Sequence, residues 1–503
     1  MKIPTEVKSI IKKLESGGFE AFVVGGCVRD LLTGNPPAGG PHDWDITTNA
    51  RPEEIQKIFP HNFCNNKFGT VTAVTGAKKE SLKEIEITTY RTEGAYRDKR
   101  WPEKVEFVGK LEDDLARRDF TINAIAMNAK GKTIDPFGGA EDIEKKIIKA
   151  VGDPDQRFNE DALRLARAIR FACQLSSVGG KIRQLADKDF KDKLSPLSWK
   201  IEEKTFNAIK KHSKSMAMIS LERTRDEFTK IILSEYPAEG VELLKETGLL
   251  GYIVPELEKG IGVSQNRHHI YTIYEHAILS LKYCPSEKLE VRLAALFHDI
   301  AKPEAKRGAG LDATFYNHDI MGANAVKRIL SRLKFSNEAI EKTSHLVRNH
   351  MFFYNVDEVS EAGIRRLIKR AGKENLKDLI DLRIADRLGS GVPKAKPYKL
   401  RHLEYLIDKV SRDPISVKML KLNGNDIIKI LKIKPSPIIG AILNVLLAEV
   451  LEDPKLNTKK YLTGRVKELS KLSPDKLKAK SLEVIEEKKE EVELAEKSRF
   501  GVK

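Results

Sequence analysis

The chain has 503 residues, of which 41% are hydrophobic and 32% charged, and its formal net charge is +16. It can bury a sizeable core and is long enough for three or more domains. A membrane-spanning protein is excluded, because the longest apolar run (438–450) falls short of the roughly 20 residues that a bilayer requires. The opening residues have an amphipathic helical pattern and not that of a secretory signal. The positive charge favours a polyanionic partner such as nucleic acid, or reflects only a lysine-rich surface.

The four cysteines (Cys27, Cys64, Cys173 and Cys284) are scattered and form no C-x-x-C pair. This usage argues against a cysteine zinc site and favours a reducing compartment. We therefore expect a cytoplasmic protein.

Residues 1–150 combine short strand patterns with helical ones, whereas the later residues show helical spacing almost throughout. The strand patterns are FEAFVVGG (19–26), TVTAVTG (70–76), EIEITTYR (84–91) and KTIDPFGG (132–139). The sequence therefore predicts an α+β head over 1–150 and an all-α body after it. Glycine- and proline-rich stretches divide that body into 151–258, 259–390 and 391–475. The charged segment 476–503 is expected to be a solvated helix or a disordered tail.

The first candidate site follows the first predicted strand, in FVVGGCVRDLL (22–32). Gly25 and Gly26 would let the backbone approach a ligand closely, and Arg29 would add a charged fork on the first helical turn. Exposed backbone N–H groups at such a turn favour phosphate. The alternative is an ordinary strand–turn–helix with a surface pair between Arg29 and Asp30.

Two aspartates one residue apart, Asp43 and Asp45, precede another β-branched run. On a strand they share one face, so their charges repel unless a cation lies between them. Two Mg²⁺ ions about 3.5–4 Å apart, held by such a pair, would serve phosphoryl transfer. A solvated strand end is the alternative. Glu86, on the later strand EIEITTYR, is a candidate third carboxylate.

A third motif, LARRDFTINAIA (115–126), places Arg117, Arg118 and Asp119 together. Arginine can clamp a phosphate or a ribose, and the aspartate can accept a hydrogen bond from a ribose hydroxyl. The alternative is a basic helix start that Asp119 caps.

Several motifs occur in one order along the chain: GGCVRD, DWDI, FGT, RRDFTINA, DPFGG and FNEDALRLARAIRFA. Over residues 5–260 this order resembles the class II tRNA nucleotidyltransferases, which are the CCA-adding enzymes and bacterial poly(A) polymerases. The resemblance implies a polymerase-β-like head with a mixed sheet. It also implies addition of C, C and A to the tRNA 3′ end from CTP and ATP, with Mg²⁺ on Asp43 and Asp45.

The helix EDALRLARAIR (160–170) carries an acidic pair and three arginines at helical spacing. Cytosine and adenine each present an amino donor beside a ring-nitrogen acceptor, which a carboxylate and a guanidinium match, and uracil and guanine present the opposite pattern. Exposed salt bridges are the alternative. By the resemblance, Asp161 and Arg164 would read the base. Supporting contacts to the nucleotide would come from Glu160, Arg167 and Arg170, with Arg118 and Asp119 on ribose or phosphate.

A second constellation lies in 268–386, where seven of the eleven histidines occur. Imidazole and carboxylate groups suit a transition metal. The pattern resembles the HD phosphohydrolase superfamily, whose helical bundle binds a divalent metal. That resemblance implies His276, His298, Asp299 and Asp386 as ligands. The auxiliary candidates, for a second metal or for phosphate, are His318, His345 and His350. A purely structural role is the alternative.

The segment 391–475 is basic and predicts either a tRNA-binding helical tail or a simply packed bundle. The motifs leave three rival functions open. The enzyme could add poly(A), only CC or only A; the HD site could be the main activity, acting on cyclic phosphates or nucleotides; or the protein could bind RNA without catalysis. Retention of both Asp43 and Asp45 argues against the last two. The oligomeric state is left open.

Overall fold

The computed structural model describes most of the chain. The described residues are 3–34, 41, 43–65, 69–93, 96–97, 101–102, 105–176, 194–266, 270–352, 361–392, 396–411, 417–474, 476–477, 498–500 and 502. Two compact units are present, one comprising 1–350 with 377–393 and the other 351–376 with 394–503. Within the described ranges, no helix is both long and apolar enough to span a bilayer.

A seven-stranded mixed sheet forms the head, in agreement with the predicted fold class. Its order is β11-β10-β1-β2-β5-β4-β3, and the β2–β5 pair is parallel whereas its other neighbours are antiparallel. The strands are β1 (Ala21–Val24), β2 (Asp45–Thr48), β3 (Asn62–Asn65), β4 (Thr70–Val74), β5 (Glu84–Thr89), β10 (Ala126–Met127) and β11 (Thr133–Ile134). Short pairs join β6 (Arg91–Glu93) to β9 (Val105–Phe107), β7 (Tyr96–Arg97) to β8 (Trp101–Pro102), and β12 (Ile147–Ile148) to β13 (Lys200–Ile201).

The pattern of β5 explains how the sheet orients its acidic residues. Ile85 and Ile87 are buried, whereas Glu84 and Glu86 between them are exposed, as the two-residue period of a strand requires. In the parallel β2–β5 pair, Asp45 lies opposite Glu86. The sheet thus places two carboxylates side by side at one strand end.

Helices of the head and neck surround and follow this sheet. They are α1 (Thr5–Ser16), α2 (Gly26–Leu32), α3 (Pro52–Ile58), α4 (Glu80–Lys83), α5 (Leu111–Ala116), α6 (Gly139–Lys145), α7 (Pro154–Glu160), α8 (Leu163–Leu175), α9 (Glu203–His212), α10 (Leu221–Ile232), α11 (Pro237–Glu246), α12 (Leu250–Ile253) and α13 (Pro255–Glu258). The helix α8 packs against α10 and α11. Ten of its thirteen residues are buried, including Arg164 and Arg170. This helix therefore carries charged groups into the interior of the neck.

The next helices build a bundle within the first unit. They are α14 (Ile273–Lys282), α15 (Leu289–Phe297), α16 (Lys302–Ala305), α17 (His318–Arg332), α18 (Asn337–Asn349) and α20 (Leu376–Gly389), of which all but Leu376 lie in that unit. The end of α20 lies very close to α14, because a Cβ on Gly389 would be 2.2 Å from Ser280 Oγ and 3.0 Å from the His276 carbonyl oxygen. Only glycine permits that approach.

The second unit has its own apolar core. Its helices are α19 (Glu361–Ala371), α21 (Tyr398–Ser411), α22 (Gly424–Leu431), α23 (Pro437–Glu452) and α24 (Lys459–Leu469). The apolar run of α23, including Ile442 and Leu446, packs with Ile427 of α22 and Val466 of α24. The long apolar stretch noted in the sequence is therefore the centre of a bundle. The charged segment 476–503 lies almost entirely outside the described residues, as do His268 and His269.

Candidate active site and metal centre

The turn between β1 and α2 brings a glycine beneath two charged side chains. Gly25 has a φ of +82°, and a Cβ there would lie 3.1 Å from an Arg118 guanidinium nitrogen and 3.7 Å from Asp45 Oδ2. A side chain would be strained at this φ and would crowd Arg118. The turn therefore lets Arg118 and Asp45 lie against the backbone, which is the close approach expected of the Gly-Gly pair.

Arg29 on α2 makes both a local and a long-range contact. Its Nε and one terminal nitrogen lie 2.9 and 2.7 Å from Asp30 Oδ1, as in the surface-pair alternative. Its other terminal nitrogen donates to Asn123 Oδ1 at 2.9 Å. The second contact ties α2 to the RRDFTINA segment, and the sequence did not indicate Asn123.

Asp43, Asp45 and Glu86 form the acidic part of the head. Burial raises the pKa of Asp45 from 3.8 to about 6; Arg118 opposes this shift, and Glu86 and Asp43 add to it. A carboxylate in that position is unfavourable without a cation. Oxygen ligands from carboxylates are those that Mg²⁺ prefers. The donor set and the raised pKa together fit a divalent cation at this position.

A fully buried carboxylate, Asp114, anchors the arginines of the RRD motif. It accepts a hydrogen bond from Arg117 Nε at 2.9 Å and from Thr47 Oγ1 at 3.1 Å, and Arg118 lies 3.6 Å away. Although burial raises the pKa of Asp114, the two arginines hold it below its usual value. Asp114 was missed in the sequence, where its spacing of three and four residues from the arginines was the available signal.

Asp119 joins the head to the neck. Its Oδ2 accepts two hydrogen bonds from Arg167 at 2.6 and 2.8 Å, and its Oδ1 accepts from Asn123 Nδ2 at 3.1 Å and from the Phe120 backbone at 2.8 Å. Burial alone would raise its pKa, but Arg167 and these donors lower it strongly. Asp119 caps no described helix, since Phe120 precedes the 3₁₀ turn Thr121–Asn123. It is an ionised carboxylate in the interior.

Asp161 and Arg164 have different partners and do not pair with each other. Arg164 donates to Glu160 at 2.7 Å and to the Arg117 carbonyl oxygen at 2.8 Å. Asp161 accepts from Arg223 at 2.7 Å and from the Leu163 backbone at 3.0 Å. The i, i+4 pair predicted from spacing is therefore present, while the i, i+3 pair is not. These contacts are buried or half-buried, unlike the exposed salt bridges of the alternative interpretation.

Arginines also surround one aromatic ring of α8. The guanidinium carbons of Arg170, Arg29 and Arg167 lie 4.2, 5.2 and 5.3 Å from the centroid of Phe171. Buried Glu227 lies 3.0 Å from Arg170 Nε. Burial lowers the pKa of Arg170 to about 10. Phe171 and Glu227 escaped the sequence interpretation because their contacts depend on how α2, α8 and α10 pack.

The bundle places the predicted HD ligands together. His276 Nε2 and His298 Nε2 are 2.9 Å apart, and each is 3.3 Å from Asp299 Oδ2. Asp386 Oδ1 lies 3.4 Å from His276 Nε2. Donor atoms about 2.0–2.2 Å from one metal ion would be separated by similar distances. Burial opposes protonation of His276, but Asp299 and Asp386 raise its pKa to about 9.

A second group of donors meets the other oxygen of Asp299. His318 Nε2 and His350 Nε2 lie 3.5 and 3.8 Å from Asp299 Oδ1, and 3.3 Å from each other. Burial and the neighbouring His298 lower the pKa of His350 to about 3. Among the described residues, the two candidate metal-binding groups both contain Asp299. Two imidazole–carboxylate sets that share one carboxylate fit a pair of divalent transition-metal ions.

His345 belongs to neither group. Its ring lies beside Asn349 on α18, with 3.5 Å between Nε2 and Asn349 Nδ2. Lys302, which the sequence analysis did not single out, has its Nζ 2.7 Å from Asp299 Oδ2 and 2.7 Å from Gln265 Oε1. A buried cation therefore borders the shared carboxylate.

Three family models match the chain. They are described as the poly A polymerase head domain (residues 21–149), the probable RNA and SrmB-binding site of polymerase A (199–261) and the HD domain (268–390). A CCA-adding enzyme of Ligilactobacillus salivarius is 34% identical over 476 residues, covering 93% of this chain and 98% of that protein. One of Lactococcus lactis is 32% identical over 475 residues, covering 94% and 98%.

A solved structure is also similar. The CCA-adding enzyme of Bacillus stearothermophilus in complex with CTP is 27% identical, with a TM-score of 0.59, and the match covers 94% of this chain and 98% of that one. The likeness therefore extends over the head, the helical body and the tail.

Proposed function

The chain belongs to the family of CCA-adding enzymes, and on that premise we propose that it adds C, C and A to the 3′ end of tRNA from CTP and ATP without a nucleic-acid template. The observation that carries the proposal is the head site, where Asp43, Asp45 and Glu86 lie together and Arg118 is fixed beside them. The reaction is attack of the tRNA 3′-hydroxyl on the α-phosphate, with pyrophosphate as the leaving group.

Asp43 and Asp45, with Glu86 beside them, would hold Mg²⁺. When bound, Mg²⁺ favours ionisation of the attacking hydroxyl and neutralises triphosphate charge. The protein itself contributes Arg118, which is fixed by Asp114 and lies against Gly25, where a phosphate can approach the backbone. A fixed guanidinium stabilises the charge that develops on transferring phosphoryl oxygens.

Base selection is assigned to Asp161 and Arg164. A carboxylate accepts from the exocyclic amino group of cytosine or adenine, and a guanidinium donates to the adjacent ring nitrogen. Uracil or guanine would place an oxygen against the carboxylate and leave buried polar groups unpaired. Glu160 and the Arg117 carbonyl hold Arg164, so its orientation exists before a nucleotide binds.

The basic second unit is proposed to contact tRNA phosphates. Residues 417–474 contain eleven lysines and arginines against five acidic residues. Lys429 and Lys434 of this segment are exposed, whereas its apolar residues form the core. Such a surface neutralises a nucleic-acid backbone. The cytoplasmic location expected from the cysteine usage stays a prediction.

The test is incorporation on three tRNA transcripts, ending before CCA, after C and after CC. Each is incubated with one labelled nucleotide and Mg²⁺, and the Asp43→Ala/Asp45→Ala variant is the control. Addition of C, then C, then A, followed by a stop, is expected of the wild type only. Open-ended addition of A would indicate a poly(A) polymerase, and addition of A on the CC end alone would indicate an A-adding enzyme. No incorporation by the wild type would refute nucleotidyl transfer.

A second candidate function is metal-dependent hydrolysis of a phosphate ester in the bundle. The two oxygens of Asp299 face separate histidine pairs, which favours binding of two ions. Lys302 could pair with a phosphate at this position. Metal analysis of the purified protein and hydrolysis of p-nitrophenyl phosphate or a 2′,3′-cyclic nucleotide would test it. Asp299→Asn should lower both, and a protein that binds metal but hydrolyses neither would support a structural role.

A further inference from the structure

Arg223 on α10 grips the carboxylate of Asp161 from 62 residues along the chain. One terminal nitrogen is 2.7 Å from Oδ2 and the other is 3.4 Å from Oδ1. The Leu163 backbone also donates to Oδ1, at 3.0 Å. A guanidinium that engages both oxygens fixes the plane of a carboxylate as well as its position. Asp161 is therefore oriented before any nucleotide arrives.

The number of lone pairs on Asp161 limits what else it can bind. A carboxylate offers about four acceptor positions, and the three donors just described occupy three. About one position is left, which matches the single N–H that an exocyclic amino group directs along its pairing edge. A keto oxygen at that point would meet another acceptor.

Arg223 also keeps the acid and the base-reading arginine apart. Asp161 and Arg164 are three residues apart, a spacing at which such side chains commonly pair. In the structure Arg223 holds Asp161, while Glu160 and the Arg117 carbonyl hold Arg164. If Asp161 turned to Arg164, each would satisfy the other and the edge-reading pattern would be lost.

We propose that Arg223 is a specificity-determining positioning residue, which fixes Asp161 so that it accepts the amino group of cytosine or adenine and rejects uracil. The inference rests on the proposed function. Arg223 itself need not touch the nucleotide. Its removal should therefore impair discrimination between bases more than it impairs chemistry.

Arg225 provides a matched control on the same helix. It pairs with Asp226 at 2.7 Å and donates to the Lys334 carbonyl oxygen. Its side chain is 28% exposed, against 31% for Arg223. Arg225→Ala thus removes the same charge and a similar amount of surface, without touching Asp161.

The experiment measures kcat/KM for CTP and for UTP on a transcript ending before CCA. In Arg223→Ala we expect kcat/KM for CTP to fall about 10- to 100-fold, as for loss of a hydrogen bond to a charged group. The value for UTP should fall much less, so that the CTP:UTP ratio drops at least about tenfold. Arg223→Lys should recover part of the ratio, and Arg225→Ala should keep it within about twofold.

Equal losses for CTP and UTP in Arg223→Ala would overturn the proposal, because a merely structural role predicts them. In the Asp161→Ala background, Arg223→Ala should cause no further loss of the ratio, and an additive loss would also overturn it. Should Arg223→Ala fail to fold, Arg223→Gln and Arg223→Lys allow the same comparison. A wild type that adds no nucleotide would refute the proposed function itself, whereas a wild type that adds CCA isolates the test of Arg223.

Discussion

Replacing Asp45 by asparagine should stabilise the metal-free protein while abolishing its activity. The pKa of Asp45 rises from 3.8 to about 6 on folding, so the folded state binds this proton more tightly than the unfolded chain does. Stability is therefore lost as the pH rises from about 4 through about 6. Roughly two pKa units at about 1.4 kcal/mol each amount to about 3 kcal/mol at pH 8, and about half of that at pH 5.

The assay is urea unfolding in EDTA at pH 5 and pH 8, followed by tryptophan fluorescence, to which the buried Trp44 between the two aspartates contributes. Asp45→Asn should exceed the wild type by about 1.5 kcal/mol at pH 5 and about 3 kcal/mol at pH 8. Mg²⁺ should narrow the gap by stabilising only the wild type. Asp43→Asn is the control, because exposed Asp43 should change stability by less than about 1 kcal/mol while activity is lost equally. Equal stability of Asp45→Asn and wild type at pH 8 would refute the reasoning.

Three further predictions concern other parts of the chain. Asp114→Asn leaves Arg117 without its buried carboxylate and should lower the free energy of unfolding by about 3–5 kcal/mol in urea; a loss under about 1 kcal/mol would contradict the anchoring role. Asp299→Asn should reduce bound transition metal and leave nucleotide addition within about twofold, and a parallel loss of addition would show that the two sites are coupled. Lys459→Glu with Lys460→Glu should raise KM for tRNA about tenfold at unchanged KM for CTP, and lower the salt dependence of binding by about 0.9 per lost phosphate contact; an unchanged salt slope would place the tRNA elsewhere.

Local patterns were sufficient to predict the fold class. The period-two alternation of EIEITTYR and the two other strand patterns correspond to β5, β1 and β4, and after residue 151 the only described strand is β13. Residues inside a strand experience the same burial pattern wherever the strand lies in the sheet. The order of the motifs likewise indicated the family, which the relatives confirm.

The arrangement of the candidate site was only partly predictable. The carboxylates Asp43 and Asp45 are adjacent in sequence, so their proximity needed no knowledge of the fold. The contact of Asp161 with Arg223 spans 62 residues, and that of Arg29 with Asn123 spans 94. Such pairs depend on helix packing, for which a single sequence carries no periodic signal. The same limit explains why spacing suggested solvated salt bridges on a helix that the neck in fact buries.

The path of the chain through the bundle has a consequence for truncation experiments. Between His350 and Asp386 the polypeptide leaves the first unit, contributes residues 351–376 to the second, and returns. A protein shortened after His350 to remove the tail would also lose Asp386 and the close contact of Gly389 with α14. Loss of hydrolysis in such a protein could not be assigned to the tail. During synthesis, too, the HD ligands can be complete only after the first stretch of the second unit has left the ribosome, so folding of the bundle must wait for part of its neighbour.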